Sequence, residues 1–356
     1  MVNRKSPTIK DIAKMAGVSA GTVDRVLHNR GRVSEEALQK VNKILEEIDY
    51  KPNLIARTLG SNKTFHIAVL IPDPSQDPYW AQSRAGIRQA EIEWLHYNVI
   101  IDLYIFDLYN KTSLKEKAEA AFNAKPDGIL IAPIFYQEIM PFFELFSSHT
   151  MPFVFFNTHL QGVQPLSFIG QNLRQSGRVG AELIYLNCKE PGKLAVLHIN
   201  EDSNNGVHLL EKEQGFREYF EEKKSNFEII APKLSNSESE EFDKQLQIIL
   251  TDPLLRGIFV TTSKGAFIAA SFLEKNNKHD VTLVGYDMLN ENLHYLKLGF
   301  INFLIHQNPK RQAFLGVNYL ADHLIFNKTT PLMSLLPLEI LTKENHQSYI
   351  DSETFL

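Results

Sequence analysis

The sequence predicts a small all-α helix-turn-helix domain followed by a two-lobed α/β body whose parallel sheets are covered on both faces by helices. Three observations predict it. Apolar residues recur at helical spacing in three short stretches before residue 50, short apolar runs alternate with helical stretches from Phe65 onward, and that alternation restarts near Ser167. A length of 356 residues accommodates two or three domains, and 44% hydrophobic with 22% charged residues excludes wholesale disorder. The first 62 residues carry 11 Lys and Arg against 7 Asp and Glu, whereas the other 294 carry 26 against 35. A basic head on an acidic body suggests a polyanionic partner for the head alone.

Within the head, Thr8 can cap a helix whose Ile9, Ile12, Ala13 and Ala16 share one face, and Gly17 stands where a left-handed cap is expected. Ser19 can cap a second helix with Val23, Val26 and Leu27 inward. Ser34 opens a third, with Leu38, Val41, Leu45 and Ile48 as its buried stripe. The outward positions of the second helix are Ala20, Gly21, Thr22, Asp24, Arg25 and His28, followed by Asn29, Arg30 and Arg32. Small, polar and cationic groups suit close approach to base edges and phosphates, where a bundle that merely packs has no need of them. Pro52 stops the third helix, and Asn53 can cap a two-turn helix through Leu54, Ile55, Ala56, Arg57 and Leu59. So short a helix needs a partner to form, such as DNA or a second copy of itself.

The run from Thr8 to Ser34, the Asp49-Tyr50-Lys51-Pro52-Asn53 spacing and the ending Asn53-Leu54-Ile55-Ala56-Arg57-Thr58-Leu59 closely resemble the head and hinge of the lactose-repressor family (LacI/GalR) over roughly 60 residues. The resemblance implies base reading by Ala20, Gly21 and Arg25. It implies backbone-positioning contacts from Thr8, Ser19, Thr22, Asn29 and Asn53, and a minor-groove wedge at Leu59 over a central CG step. Asp24 departs from the family's serine. A carboxylate there is repelled by phosphates unless it pairs with Arg25 or accepts from a cytosine amino group.

In the body, candidate strands are 66–71, 98–106, 128–132, 153–156, 167–169, 193–199, 228–231, 257–261, 282–286, 301–305 and 335–341. Helices fit between them at 80–95, 114–124, 175–186, 209–223, 241–251, 264–276 and 310–326. Near-continuous apolar strands mean parallel sheets buried on both faces, and ligands bind at the carboxyl ends of such strands. Those ends carry Asp73 to Trp80, Pro133 to Tyr136, Asn157 to His159, Thr262-Ser263, Asp287 and Gln307. Residues 65–345 resemble the type I periplasmic-binding-protein fold used by the same repressor family, through Gln76-Asp77-Pro78-Tyr79-Trp80, Gly285-Tyr286-Asp287 and Gln307-Asn308-Pro309. The resemblance implies a sugar-like effector held by Asp77, Tyr79, Trp80, Asn157, Thr262, Asp287 and Gln307, with Tyr136 and Lys212 nearby. Two positions depart from sugar-binding members: Leu210 stands for their arginine, and Thr262-Ser263 for their asparagine-aspartate pair.

No HExxH, GxSxG, GxxxxGK[ST] or GxGxxG motif occurs, and the histidines lack metal-ligand spacing, so neither catalytic residues, metal nor cofactor is expected. The single Cys188 permits no internal disulfide and reads as a half-buried thiol. No membrane-length apolar run or secretory leader occurs, so a cytoplasmic protein with no membrane partner is expected. Expected domains are a helix-turn-helix at 1–52, a hinge helix and linker at 53–62, and an effector-binding and dimerisation body at 63–356. One lobe is expected at about 63–160 plus 308–328, the other at about 164–306 plus 331–345. The function expected is that of a homodimeric repressor of carbohydrate-related genes, binding a pseudo-palindromic double-stranded operator under effector control. The alternative is a small-molecule receptor whose head contacts a protein.

Overall fold

A computed structural model describes residues 7–27, 31–48, 50, 63–188, 190–200, 206–234 and 239–354. The chain divides into two compact units, Met1–Asn62 and Lys63–Leu356.

In the first unit, α1 (Ile9–Ala16), α2 (Ala20–Leu27) and α3 (Glu35–Glu47) enclose Ile12, Val23 and Val41, all fully buried. A reciprocal capping box starts α1: Thr8 Oγ1 accepts from the Asp11 N–H, and Asp11 accepts from the Thr8 N–H. Gly17 ends the helix at φ 65°, a conformation that costs glycine no Cβ clash. Ser19 accepts from the Thr22 N–H at 3.1 Å and starts α2. Leu38, expected in the buried stripe of α3, is 39% exposed; Val41, Ile44, Leu45 and Ile48 make the contact instead. The two-turn hinge helix expected after Asn53 lies outside the described residues.

In the second unit, the first lobe contains β1 (Phe65–Pro72), α4 (Pro78–Trp94), β2 (Val99–Phe106), α5 (Lys111–Asn123), β3 (Gly128–Ile131), α6 (Tyr136–Ser148), β4 (Phe153–Asn157) and β5 (Ser167–Gly170). The chain crosses into the second lobe for α7 (Leu173–Asn187), β6 (Lys193–Ile199), α8 (Val207–Glu222), β7 (Glu228–Ile230) and β8 (Lys233–Leu234). There follow α9 (Glu240–Leu250), β9 (Leu255–Val260), α10 (Ser263–Lys275), β10 (Thr282–Tyr286), α11 (Asn290–Leu298) and β11 (Phe303–His306). It returns for α12 (Pro309–Phe326) and β12 (Met333–Leu335), then crosses a third time to β13 (Glu339–Leu341) and α13 (His346–Thr354). One sheet runs β12-β5-β4-β3-β1-β2, parallel throughout. The other runs β13-β11-β10-β9-β6-β7, parallel except for β13 on β11, with β8 on β6.

Two expected lobe boundaries are corrected. The strand at Ser167, expected to open the second lobe, pairs with β4 and closes the first. The segment 335–341, expected as one strand of the second lobe, is two strands in different sheets, because Pro337 lacks the N–H that a continuous ladder needs. The other expected strands are present within about two residues at each end, and a short strand at Lys233–Leu234 was not expected; which sheet each joins depends on crossovers that periodicity does not encode. The helix at Tyr136–Ser148, with Pro141 inside it, was not expected, nor were Asn290–Leu298 and His346–Thr354.

Helices α7 and α8 pack backbone to backbone. A Cβ on Gly215 would lie 1.9 Å from the Arg174 carbonyl oxygen, and one on Gly177 would lie 1.9 Å from that of Lys212. No side chain can yield there, since the obstacle is main chain. Gly215→Ala is therefore expected to destabilise the body by about 3 kcal/mol or prevent folding. Gly21→Ala, whose Cβ would find only the Ser19 Oγ at 3.8 Å, should change stability by less than about 1 kcal/mol. Urea denaturation of both variants checks this contrast.

Candidate effector cleft and nucleic-acid interface

In the head, α2 presents Ala20, Gly21 and Arg25 exposed, with Thr22 and Asp24 half-buried. Arg32 is exposed at the loop beyond. Thr8 and Ser19 are already committed as helix caps, and the Ser19 and Thr22 hydroxyls lie 2.9 Å apart. His28, Asn29, Asn53, Ala56, Arg57 and Leu59 lie outside the described residues or their described side chains.

The cleft is built from strand ends. Asp77 caps α4, accepting from the Tyr79 N–H at 2.9 Å, and Pro78 fits the first helical position. This cap sets Tyr79 and Trp80 edge to face, with centroids 4.8 Å apart, and buries both rings. Asn157 ends β4 at φ 69° and donates its Nδ2 to the Tyr79 hydroxyl at 2.6 Å. From the second lobe, Lys212 on α8 is 2% exposed; its Nζ donates to the Thr261 carbonyl at 2.9 Å and lies 3.7 Å above the Tyr286 ring. The Thr262 hydroxyl is buried without a hydrogen-bond partner.

Of the nine expected effector residues, Asp77, Tyr79, Trp80, Asn157, Lys212, Thr262 and Gln307 line one cavity between the lobes. Leu108, Ile134, His208, Thr261 and Ser263 complete it. Only strand-end position could have marked the apolar pair Leu108 and Ile134, and nothing in the sequence sets them apart from core. The cavity is about 30 Å³, room for one or two waters, so the lobes are closed on one another. Tyr136 stands elsewhere, at the wall of a different cavity.

Asp287 does not line the cavity; it lies behind the wall, fully buried, at φ 65°. Its carboxylate accepts from the Ser263 hydroxyl, from the Gln307 N–H at 2.8 Å and from the Gln307 Nε2 at 2.6 Å, and His306 Nδ1 lies 3.5 Å away. Burial alone would raise this carboxyl; the His306 ring, the Ser263 hydroxyl and the Gln307 N–H outweigh it and hold the group below the ordinary carboxylate value. The resemblance placed Asp287 on the ligand, whereas the geometry makes it the group that holds two cavity residues in position.

A helix-turn-helix and a two-lobed cleft in one chain define a ligand-binding regulatory protein. Residues 8–53 match the model of bacterial regulatory proteins of the lacI family, and residues 67–328 match the periplasmic binding protein domain. The chain belongs to the lacI family of bacterial regulatory proteins, a regulatory and not an enzymatic family. It is 29% identical over 305 residues to the HTH-type transcriptional regulator MalR of Streptococcus pneumoniae, covering 83% of this chain and 88% of that one. It is 27% identical over 284 residues to the ribose operon repressor of Halalkalibacterium halodurans, covering 79% and 80%. Among solved structures, a putative LacI transcriptional regulator from Bacteroides fragilis superposes with a TM-score of 0.75 at 28% identity, over 81% of this chain and all of that one. No helix among the described residues is long and apolar enough to cross a membrane, and no group of three or more His, Cys, Asp or Glu among them could hold a metal.

Next to the cleft, His198 bridges Thr261 Oγ1 at 2.7 Å and Glu213 Oε2 at 2.6 Å. The hydrogen bond with His198 is the main cause that lowers the Glu213 carboxyl to about 2; burial opposes it, and Arg217 adds to it. A carboxyl with a depressed folded-state value stabilises the fold above its unfolded value of about 4.5 and loses that contribution as pH falls towards 2. With partial screening at this half-buried site, the contribution is about 1–2 kcal/mol. Guanidinium denaturation at pH 6 and pH 3 should show that acid loss in the native chain, and Glu213→Gln should reduce it by that amount.

Proposed function

We propose that this chain is a repressor whose affinity for a pseudo-palindromic operator is set by a sugar-like effector bound between the lobes. The carrying observation is the convergence of Asp77, Asn157, Lys212, Thr262 and Gln307, with the Tyr79 and Trp80 rings, on one cavity at strand ends of both lobes. Carboxylate, amides, hydroxyl and ammonium suit a polyol, and aromatic rings suit its apolar face. The name of the ribose operon repressor ties that relative to a sugar operon. The buried Thr262 hydroxyl supports a ligand at this place, because an unpaired buried hydroxyl costs about 1–3 kcal/mol. A ring of sugar size exceeds this cavity, so the lobes must stand further apart around a bound sugar than they do here.

In this reading the protein acts in the cytoplasm as a homodimer. Ile92, Leu95 and Ile100, exposed in one short stretch of the first lobe, support an apolar contact between copies. Each head places α2 in a major groove, Arg25 reads a base edge, and Thr8, Ser19, Thr22, Asn29, Arg32 and Asn53 set the register on phosphates. Leu59, with Ala56 and Arg57 beside it, enters the central minor groove. The effector works through its different affinity for the two lobe arrangements.

Selection of bound sequences from a randomised duplex pool, at near-physiological salt without added ligand, should return a palindrome with a central CG step. Recovery of no motif with the free protein, and none with candidate monosaccharides present, would overturn operator reading. Arg25→Ala should weaken operator binding about 10- to 100-fold and relax preference at one position of each half-site, read by gel shift. Lys212→Met should leave operator affinity within about threefold while abolishing its response to effector; a retained response removes Lys212 from the site.

A further inference from the structure

The three crossovers between the lobes meet at one amide. Gln171, on the first, donates its Nε2 to the His306 carbonyl on the second and to the Pro337 carbonyl on the third, at 2.8 Å each. Its Oε1 has no hydrogen-bond partner, although the residue is only 3% exposed. Gln171 also lines a cavity of about 450 Å³, separate from the effector cleft and within the size range of small-molecule pockets.

The walls come from both lobes. The first lobe supplies Tyr136, His159, Phe168 and Met333, and the second supplies Val207, which packs against the first lobe's core. Three features fix the chemistry. The walls offer flat surfaces: the His159 ring stands edge-on to Phe168 with centroids 5.1 Å apart. Burial pushes the His159 imidazole down towards its neutral form, which offers one donor and one acceptor. Arg174, on the wall, is committed to a bidentate pair with Glu218, and Glu211 adds a carboxylate there, so nothing favours an anion.

We propose that this hinge cavity is a second ligand site, taking an uncharged flat ring compound with an N–H or O–H donor for Gln171 or His159. A compound seated there touches both lobes and the amide that ties their crossovers. The site stands apart from the cleft residues and needs no DNA, so its failure would leave the operator reading intact.

The test uses indole as the probe, titrated into isotope-labelled full-length protein and followed by NMR. Saturable shifts at Phe168, Val207 and Met333 are expected, with a dissociation constant of about 1 mM or tighter. Val207→Trp, which fills the cavity, should weaken binding at least about tenfold. His159→Phe, which keeps the ring and removes its nitrogens, should weaken it at least about threefold. Thr262→Val, in the effector cleft, should leave it unchanged. No saturation up to about 10 mM, unchanged binding in both cavity variants, or loss of binding in Thr262→Val would each overturn the assignment.

Discussion

The body depends on how three thin crossovers are held. The two sheets have separate apolar cores, and Val207 of the second lobe packs against the core of the first. The Gln171 amide ties the crossovers through two carbonyls, and Leu336 N donates to the Gly170 carbonyl at 2.7 Å beside it. From there a chain of buried polar groups runs across the hinge. Gln312 Nε2 donates to the Gln307 carbonyl at 2.7 Å, and its Oε1 accepts from the Asn157 N–H at 2.9 Å. Asp287 then holds Gln307 from the second lobe. Every member sits where water cannot replace a lost partner, so the network has few alternative arrangements short of breaking.

That network is also the backing of the effector cleft. Asn157 and Gln307 face the cavity and are positioned by the same hydrogen bonds that span the hinge. A ligand that draws on either side chain therefore acts on lobe closure directly. A tenfold change in affinity requires only about 1.4 kcal/mol of coupling, the scale of one or two such hydrogen bonds.

Most of the fold was legible because its strands are buried on both faces and read as unbroken apolar runs. Phe65–Pro72 and Lys193–Ile199 need no context to be recognised. Sheet membership was not legible. Ser167–Gly170 has the composition of any core strand, and only its pairing with Phe153–Asn157 assigns it to the first lobe. Tyr136–Ser148 escaped notice as a helix because Pro141 and the crowded Phe142, Phe143 and Phe146 obscure its period. At the site, strand ends located seven of the nine expected residues on one cavity. Asp287 and Tyr136 show the limit. A strand-end position says that a side chain is near a cleft; the hydrogen bonds from Ser263 and Gln307 hold the Asp287 carboxylate behind the wall.

Helix α8 explains the departure at Leu210. Two residues along a helix are about 200° apart, so Leu210 and Lys212 cannot share a face. Leu210 is 47% exposed, whereas Lys212 is 2% exposed and lies four residues after His208, which lines the same cavity. The cation expected at position 210 is thus present two residues later on the face that meets the cleft. Val207 and Glu211, also four apart, turn the next face of the helix towards the hinge cavity. One rigid element carries walls of both cavities, and its close packing at Gly215 and Gly177 leaves it no freedom to rotate one face without the other. Whatever shifts α8 at the hinge shifts Lys212 at the cleft.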